Sequence, residues 1–230
     1  MKLFAEISSL LITLLLVVAN SAVEGRRDMY EAAIEELEEE CTICSLSDGG
    51  ITQNYKLTED VDCNYENYGG GTIKVYNGAT LDCDGYSIRG PGNDDYDPTI
   101  ILYDGAILKN CKIENTQGVG IQIEGESVQI ENVHVTNVND RAGVYGFSRI
   151  DGLILKNVAV TNNHSNGVEL SDQSVVFMEN VMFCNNAGTY DIFEDDSSHV
   201  NGVYSGTIAC TNCNDLNYDD KVSCDVAMCY

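Results

Sequence analysis

The sequence predicts an all-β solenoid of about six coils built from short stacked strands. Three observations predict it. First, a phrase returns about every 24 residues: aliphatic or β-branched residues lead to an Asn, then to a second apolar alternation. It reads Ile107-Leu108-Lys109-Asn110-Cys111-Lys112-Ile113 and Val128-Gln129-Ile130-Glu131-Asn132-Val133-His134-Val135, then Leu153 to Val160 around Asn157 and Val175 to Phe183 around Asn180. The pivots Asn110, Asn132, Asn157 and Asn180 are spaced 22, 25 and 23 residues apart. Second, another phrase recurs in phase with the first, starting at Thr99, Gly120, Gly143, Gly167 and Tyr190. Third, every run alternates with period 2 and is rich in β-branched residues, which excludes a helical solenoid. Constant phase excludes an ordinary sandwich.

One turn therefore holds three short strands: one of the Gly-Ile-Gln-Ile type, one leading into the Asn and one following it. A sharp bend between strands needs a residue that tolerates left-handed backbone angles, and Asn does so better than any residue but Gly. Stacked Asn side chains can also hydrogen-bond up the coil.

In chain order, residues 1–22 read as a secretory signal peptide. Lys2 precedes an apolar run from Leu10 to Ala19, and Asn20-Ser21-Ala22 follows, with cleavage expected after about Ala19 or Ala22. The run is shorter than the ~20 residues that span a bilayer. Residues 23–54 form an acidic N-terminal segment in which Met29, Tyr30, Ala33, Ile34 and Leu37 share one helical face, the pattern of a short helix capping the first coil. The rival reading is a loose acidic linker, because glutamates crowd the end of that helix against its dipole. Residues 55–210 are the coils. The phrase extends one turn earlier, with Asp84 26 residues before Asn110, and one turn later, with Gly206 26 residues after Asn180. At ~4.8 Å per strand the rod is roughly 25–30 Å long. Residues 211–230 are a Cys-rich tail that closes the other end, because open solenoid ends expose core and strand edges.

Leu57-Thr58-Glu59-Asp60-Val61-Asp62-Cys63 and Gly78-Ala79-Thr80-Leu81-Asp82-Cys83-Asp84-Gly85-Tyr86-Ser87-Ile88-Arg89-Gly90 resemble the opening coils of right-handed parallel β-helix proteins with the pectin-lyase-like fold. The resemblance covers roughly residues 55–210. It implies a single-stranded right-handed parallel β-helix. It does not imply an activity, since that fold carries lyases, hydrolases, epimerases and adhesins.

The chain has 10 Cys, which in an exported protein read as disulfides. Cys184 and Cys210 follow equivalent alternations 26 residues apart and are expected to bridge adjacent coils. Cys63 and Cys83 share an Asp-Cys phrase and are expected to pair. Cys111 matches Val133, Val158 and Val181, which suggests a buried free thiol. The Cys41–Cys44 and Cys210–Cys213 C-x-x-C pairs read as cross-links rather than zinc ligands. Asn163-His164-Ser165 is a glycosylation sequon expected in a surface loop, with Asn163 as acceptor.

The formal net charge of −25, from 37 acids and 12 bases, argues against nucleic acid, anionic membranes and polyanionic polysaccharides as partners. The acid pairs Asp94-Asp95 and Asp195-Asp196 lie in polar turns and read as solvated rather than as the paired acids of a hydrolase. Tyr145-Gly146-Phe147 is similar to the start of the catalytic strand of mannuronan C5-epimerases, Tyr-Gly-Phe-Asp-Pro-His-Glu. Here Ser148, Arg149 and Ile150 replace the Asp, Pro and His that proton abstraction needs. His134, His164 and His199 read as surface residues. A column formed by Glu114, Thr136, Thr161, Cys184 and Cys210 is too irregular for an ice-binding array.

The resulting expectation is a secreted, extracellular, monomeric binding or structural module with carbohydrate as its ligand class. No catalytic residue, cofactor or metal is assigned, and no membrane insertion is expected after signal cleavage. The alternative is a reduced polysaccharide lyase or epimerase-like enzyme. It requires Asp104, Glu124, Tyr145 and Glu169 to converge in one cleft near Arg141 or Lys156.

Overall fold

The computed structural model describes residues 43–45, 50–63, 72–90, 97–147, 150–170 and 174–188, together with the backbone of strands Ile192–Glu194 and Asn201–Cys210. Residues 1–22, expected to be a signal peptide, residues 23–42 of the acidic segment expected to cap the coils, the two Asp pairs and the Cys-rich tail lie outside the described residues.

Every strand pairs in parallel with the strand one coil away, and the strands stack in three columns. The first column contains Tyr55–Lys56, Thr80–Asp82, Ile107–Lys109, Gln129–Glu131, Asp151–Lys156 and the start of the long strand Val175–Cys184. The second contains Val61–Asp62, Ser87–Arg89, Lys112–Thr116, His134–Val138, Ala159–Thr161 and the end of that long strand. The third is a separate six-stranded sheet: Ile73–Val75, Ile100–Leu102, Ile121–Ile123, Val144–Gly146, Val168–Leu170 and Ile192–Glu194. Six stacked strands in one column are linked by about five full turns. Asn201–Cys210 adds a last layer on Val175–Cys184.

The core is a set of vertical rows. Because register is kept from coil to coil, a slot that points inward does so in every turn, and it holds the same kind of side chain. Leu81, Leu108, Ile130, Leu155 and Met178 form one row. Ile88, Ile113, Val135, Val160 and Phe183 form a second. Ile73, Ile100, Ile121, Val144 and Val168 form a third. All are fully buried, each contributing ~1.5–3 kcal/mol of transfer free energy. The packed core reaches back beyond residue 55 to Ile43, Cys44 and Ile51.

The bends are made as the period predicts. Asn110, Asn132, Asn157 and Asn180 have φ of 55°, 54°, 52° and 54°, and Asp84 holds the equivalent place at 51°. Their amides form a ladder: Asn132 Nδ2 donates to Asn110 Oδ1 at 3.1 Å, Asn157 to Asn132 at 2.9 Å and Asn180 to Asn157 at 3.1 Å. The lowest rung ends on Asp82, whose Oδ1 accepts from Asn110 Nδ2 at 2.9 Å.

A second pivot stands five residues after each of the first. Asn115, Asn137, Asn162 and Asn185 have φ of 55–57° and end the second column. The recurring Gly that opens the third column has a steric cause. A Cβ on Gly120 would lie 2.5 Å from the Gly143 carbonyl oxygen, and one on Gly143 would lie 2.5 Å from Val160 Cγ1.

Two cysteine expectations are corrected. Cys63 bonds to Cys44 and Cys83 bonds to Cys111, with Cα separations of 5.5 and 4.8 Å. Cys63 and Cys83 share a phrase but not a column: Cys63 follows the second-column strand Val61–Asp62, whereas Cys83 follows the first-column strand Thr80–Asp82. Cys111 is no free thiol, because it stands at the same bend as Cys83 one coil on, where Cys83 N–H meets the Lys109 carbonyl. Cys184 is disulfide-bonded, and its partner lies outside the described side chains. The register sets Cys210 against Phe183, one place from the slot expected for it.

The sequon is also corrected. Asn163 is 1% exposed. Its Oδ1 accepts from Val138 N–H at 3.0 Å and its Nδ2 donates to Asn186 Oδ1 at 2.8 Å. The atom a glycan would use is thus engaged inside the protein. The left-handed Asn162 just before it turns the side chain inward.

Candidate functional site

The exterior of each column repeats its slots as the core does, so each face carries vertical rows of outward side chains. The third column carries the most chemically varied row. Lys74, Ile101, Gln122, Tyr145 and Glu169 stack in register on successive strands. Two positions further along each strand lies a second row, Tyr76, Tyr103, Glu124 and Phe147. Each of the upper three is fixed by its N–H donating to the carbonyl of Val75, Leu102 or Ile123 one coil below.

The Tyr76 and Tyr103 rings stack face to face, with centroids 4.3 Å apart and planes 11° apart. Burial holds the Tyr103 phenol protonated well above its ordinary range, helped by a hydrogen bond with Tyr76 and by the Glu124 carboxylate. Tyr145 and Phe147 meet edge to face with centroids at 6.4 Å. Phe147 is 63% exposed, the most exposed large apolar side chain of the described residues. Gln122 donates from Nε2 to Glu124 Oε1 between these aromatic pairs. The result is a strip of rings interrupted by an amide and carboxylates.

Four residues named from the sequence fall on or beside this face. Tyr145 and Glu169 are vertical neighbours. Glu124 lies in the adjoining row, and Asp104 is one residue past Tyr103, where its Oδ1 accepts from Glu126 N–H at 2.9 Å. The basic members divide. Arg141 precedes Val144–Gly146 in the connecting loop. Lys156 stands on the first column, 3.6 Å from Glu179, so it is not part of this face. Glu124 is engaged by Gln122 and Tyr103 is held protonated, so the strip presents hydrogen-bonding groups among its rings.

The first column carries a row that sequence reading did not isolate. Lys56, Asp82, Lys109, Glu131, Lys156 and Glu179 are in register on six successive coils and alternate in sign. In an in-register parallel stack, identical charges would sit directly above one another and repel; alternation turns repulsion into attraction. Lys109 Nζ lies 3.3 Å from Asp82. Burial by itself would raise the Asp82 carboxyl, but bonds from Asn110, the Asp84 N–H and Lys109 bring it below its usual range.

On the second column, Glu114, Thr136, Thr161 and Cys184 form the expected vertical row, but all four are buried. The bond from Lys112 holds the Glu114 carboxyl low against burial, and Arg89 Nη2 adds a second bond at 3.1 Å. His134 is half-buried rather than exposed: its Nε2 lies 2.9 Å from Thr161 Oγ1. Among the described residues, no group of three or more His, Cys, Asp or Glu side chains is arranged to hold a metal ion.

The family described as "right handed beta helix region" matches residues 98–217. No curated protein and no solved structure matches the chain. The match spans more than half of the sequence and coincides with coils whose strands are all parallel, so the chain belongs to the right-handed β-helix family.

Proposed function

We propose that this chain is a secreted, non-enzymatic module that binds carbohydrate on its third face, and that the sugars it takes are uncharged. The observation that carries this reading is the strip of Tyr76, Tyr103, Tyr145 and Phe147 with Gln122 and Glu124 among the rings. Aromatic faces pack on the apolar C–H face of a pyranose, while amide and carboxylate oxygens accept from its hydroxyls. Net charge selects within the class: at −25 the protein repels uronate polymers. Export is supported by the Cys44–Cys63 and Cys83–Cys111 bonds. No helix of the described residues is long and apolar enough to cross a membrane.

The test is a glycan array carrying neutral and uronate oligosaccharides, repeated with Tyr145→Ala and Phe147→Ala. Binding confined to neutral glycans, weakened roughly 3- to 10-fold by each substitution, is the expected result. Absence of binding, or binding that ignores both substitutions, removes the proposal.

A further inference from the structure

The first-column face has a property that follows from its alternation and is independent of the glycan reading. We propose that this face is the contact surface for a second copy of the chain, packed face to face with its solenoid axis reversed.

The argument is one of symmetry. A two-fold axis lying in the face and running along the strands reverses the order of the coils but leaves position along each strand unchanged. Each charge column then meets its own reversed copy. Over the upper four coils, reversal sets Lys109 against Glu179 and Glu131 against Lys156. Over all six, it sets Lys56 against Glu179, Asp82 against Lys156 and Lys109 against Glu131. An alternating row with an even number of members is complementary to its own reverse. Sliding by one coil sets Asp82 against Glu179 and like against like throughout, so the row also rejects the wrong registers.

The neighbouring row supplies the apolar part. Two residues before each charge stand Ile107, Gln129, Ile154 and Phe177, in register on the same strands. Ile154 and Phe177 are 36% and 38% exposed, large apolar side chains on an outer sheet face. The four-coil reversal brings Ile107 to Phe177 and Gln129 to Ile154. The face is about 20–30 Å tall and about 10 Å wide, smaller than the patches of obligate dimers. The pair is therefore a reversible one that forms with concentration, in place of the monomer expected from sequence.

Sedimentation equilibrium on the full secreted chain tests this. Wild type should show a monomer–dimer equilibrium that weakens with added salt. Lys109→Glu should weaken it on the order of tenfold, since each dimer loses two symmetric pairs. The variant with all six charges of the row inverted (K56E, D82K, K109E, E131K, K156E and E179K) should regain the homodimer, because the inverted row is again its own complement in either register. Carbodiimide cross-linking of light- and heavy-isotope protein should join Lys109 to Glu179 or Glu131 between chains. A single monomer at all concentrations up to about 1 mM overturns the proposal, as does a dimer affinity left unchanged by Lys109→Glu.

Discussion

Asn157 donates from its side-chain amide to Oδ1 of Asn132 at 2.9 Å, and its own Oδ1 accepts from Asn180 at 3.1 Å. Each Asn of the first bend thus serves the chain turn through its backbone and the stack through its side chain. The two roles can be separated by substitution. Asn157→Gly keeps the left-handed backbone and loses two partly solvated hydrogen bonds, for a loss of ~1 kcal/mol. Asn157→Ala loses the bonds and adds the strain of a Cβ at φ 52°, for a loss of ~2 kcal/mol or more. Urea unfolding of the three proteins measures both. Equal losses for Gly and Ala would show that backbone conformation contributes nothing here.

Cys83 and Cys111 tie adjacent coils across a separation of 28 residues. Replacing both with Ser is expected to cost ~2–4 kcal/mol by releasing the unfolded chain. Peptide mapping without reduction should recover Cys44 with Cys63 and Cys83 with Cys111. Recovery of a Cys63–Cys83 peptide, or alkylation of Cys111 in the folded protein, contradicts the structure.

Asn163 should carry no glycan when the chain is produced in a glycosylating host, although Asn163-His164-Ser165 satisfies the motif. Asn163→Ala should destabilise by ~1–3 kcal/mol, because Val138 N–H and Asn186 lose buried partners. Intact mass gives the first result and thermal unfolding the second. A glycopeptide at Asn163 from natively folded protein would refute the inward placement.

Acid should lower the protein's stability in two stages. Burial, then the nearby Lys112 charge, hold His134 below its ordinary 6.5, partly opposed by Glu114. The unfolded chain therefore takes this proton first, and stability falls as pH drops below 6.5 toward the folded value. Glu114 and Asp82 are held below their ordinary 4.5 and 3.8. Their contribution is complete above those values and is lost as pH falls through the lower folded ones. Melting temperature measured from about pH 8 to 3 should show both declines, and His134→Gln should remove only the upper one. An unchanged upper decline in that variant would show that His134 is not its source.

The division between what could and could not be read in the sequence follows particular residues. Asn110, Asn132, Asn157 and Asn180 announced the bend, because one backbone conformation recurring at one phase selects one residue type. Asn115, Asn137, Asn162 and Asn185 repeat as regularly and went unread, since no long apolar run surrounds them to mark the phase. The sign alternation from Lys56 to Glu179 was equally present in the letters, but it becomes visible only when register is exact to the residue. Cys63 and Cys83 show the opposite failure: the same two-letter phrase served two different columns.

The sequence by itself determined that this chain winds into stacked parallel strands, because hydrophobic period and bend chemistry are local and repeat coil after coil. Only the tertiary structure decided which cysteines bond, that Asn163 points inward, and which rings and charges share a face. Those outcomes depend on vertical neighbours some two dozen residues apart. A shift of one place along a strand there exchanges the inside of the coil for the outside.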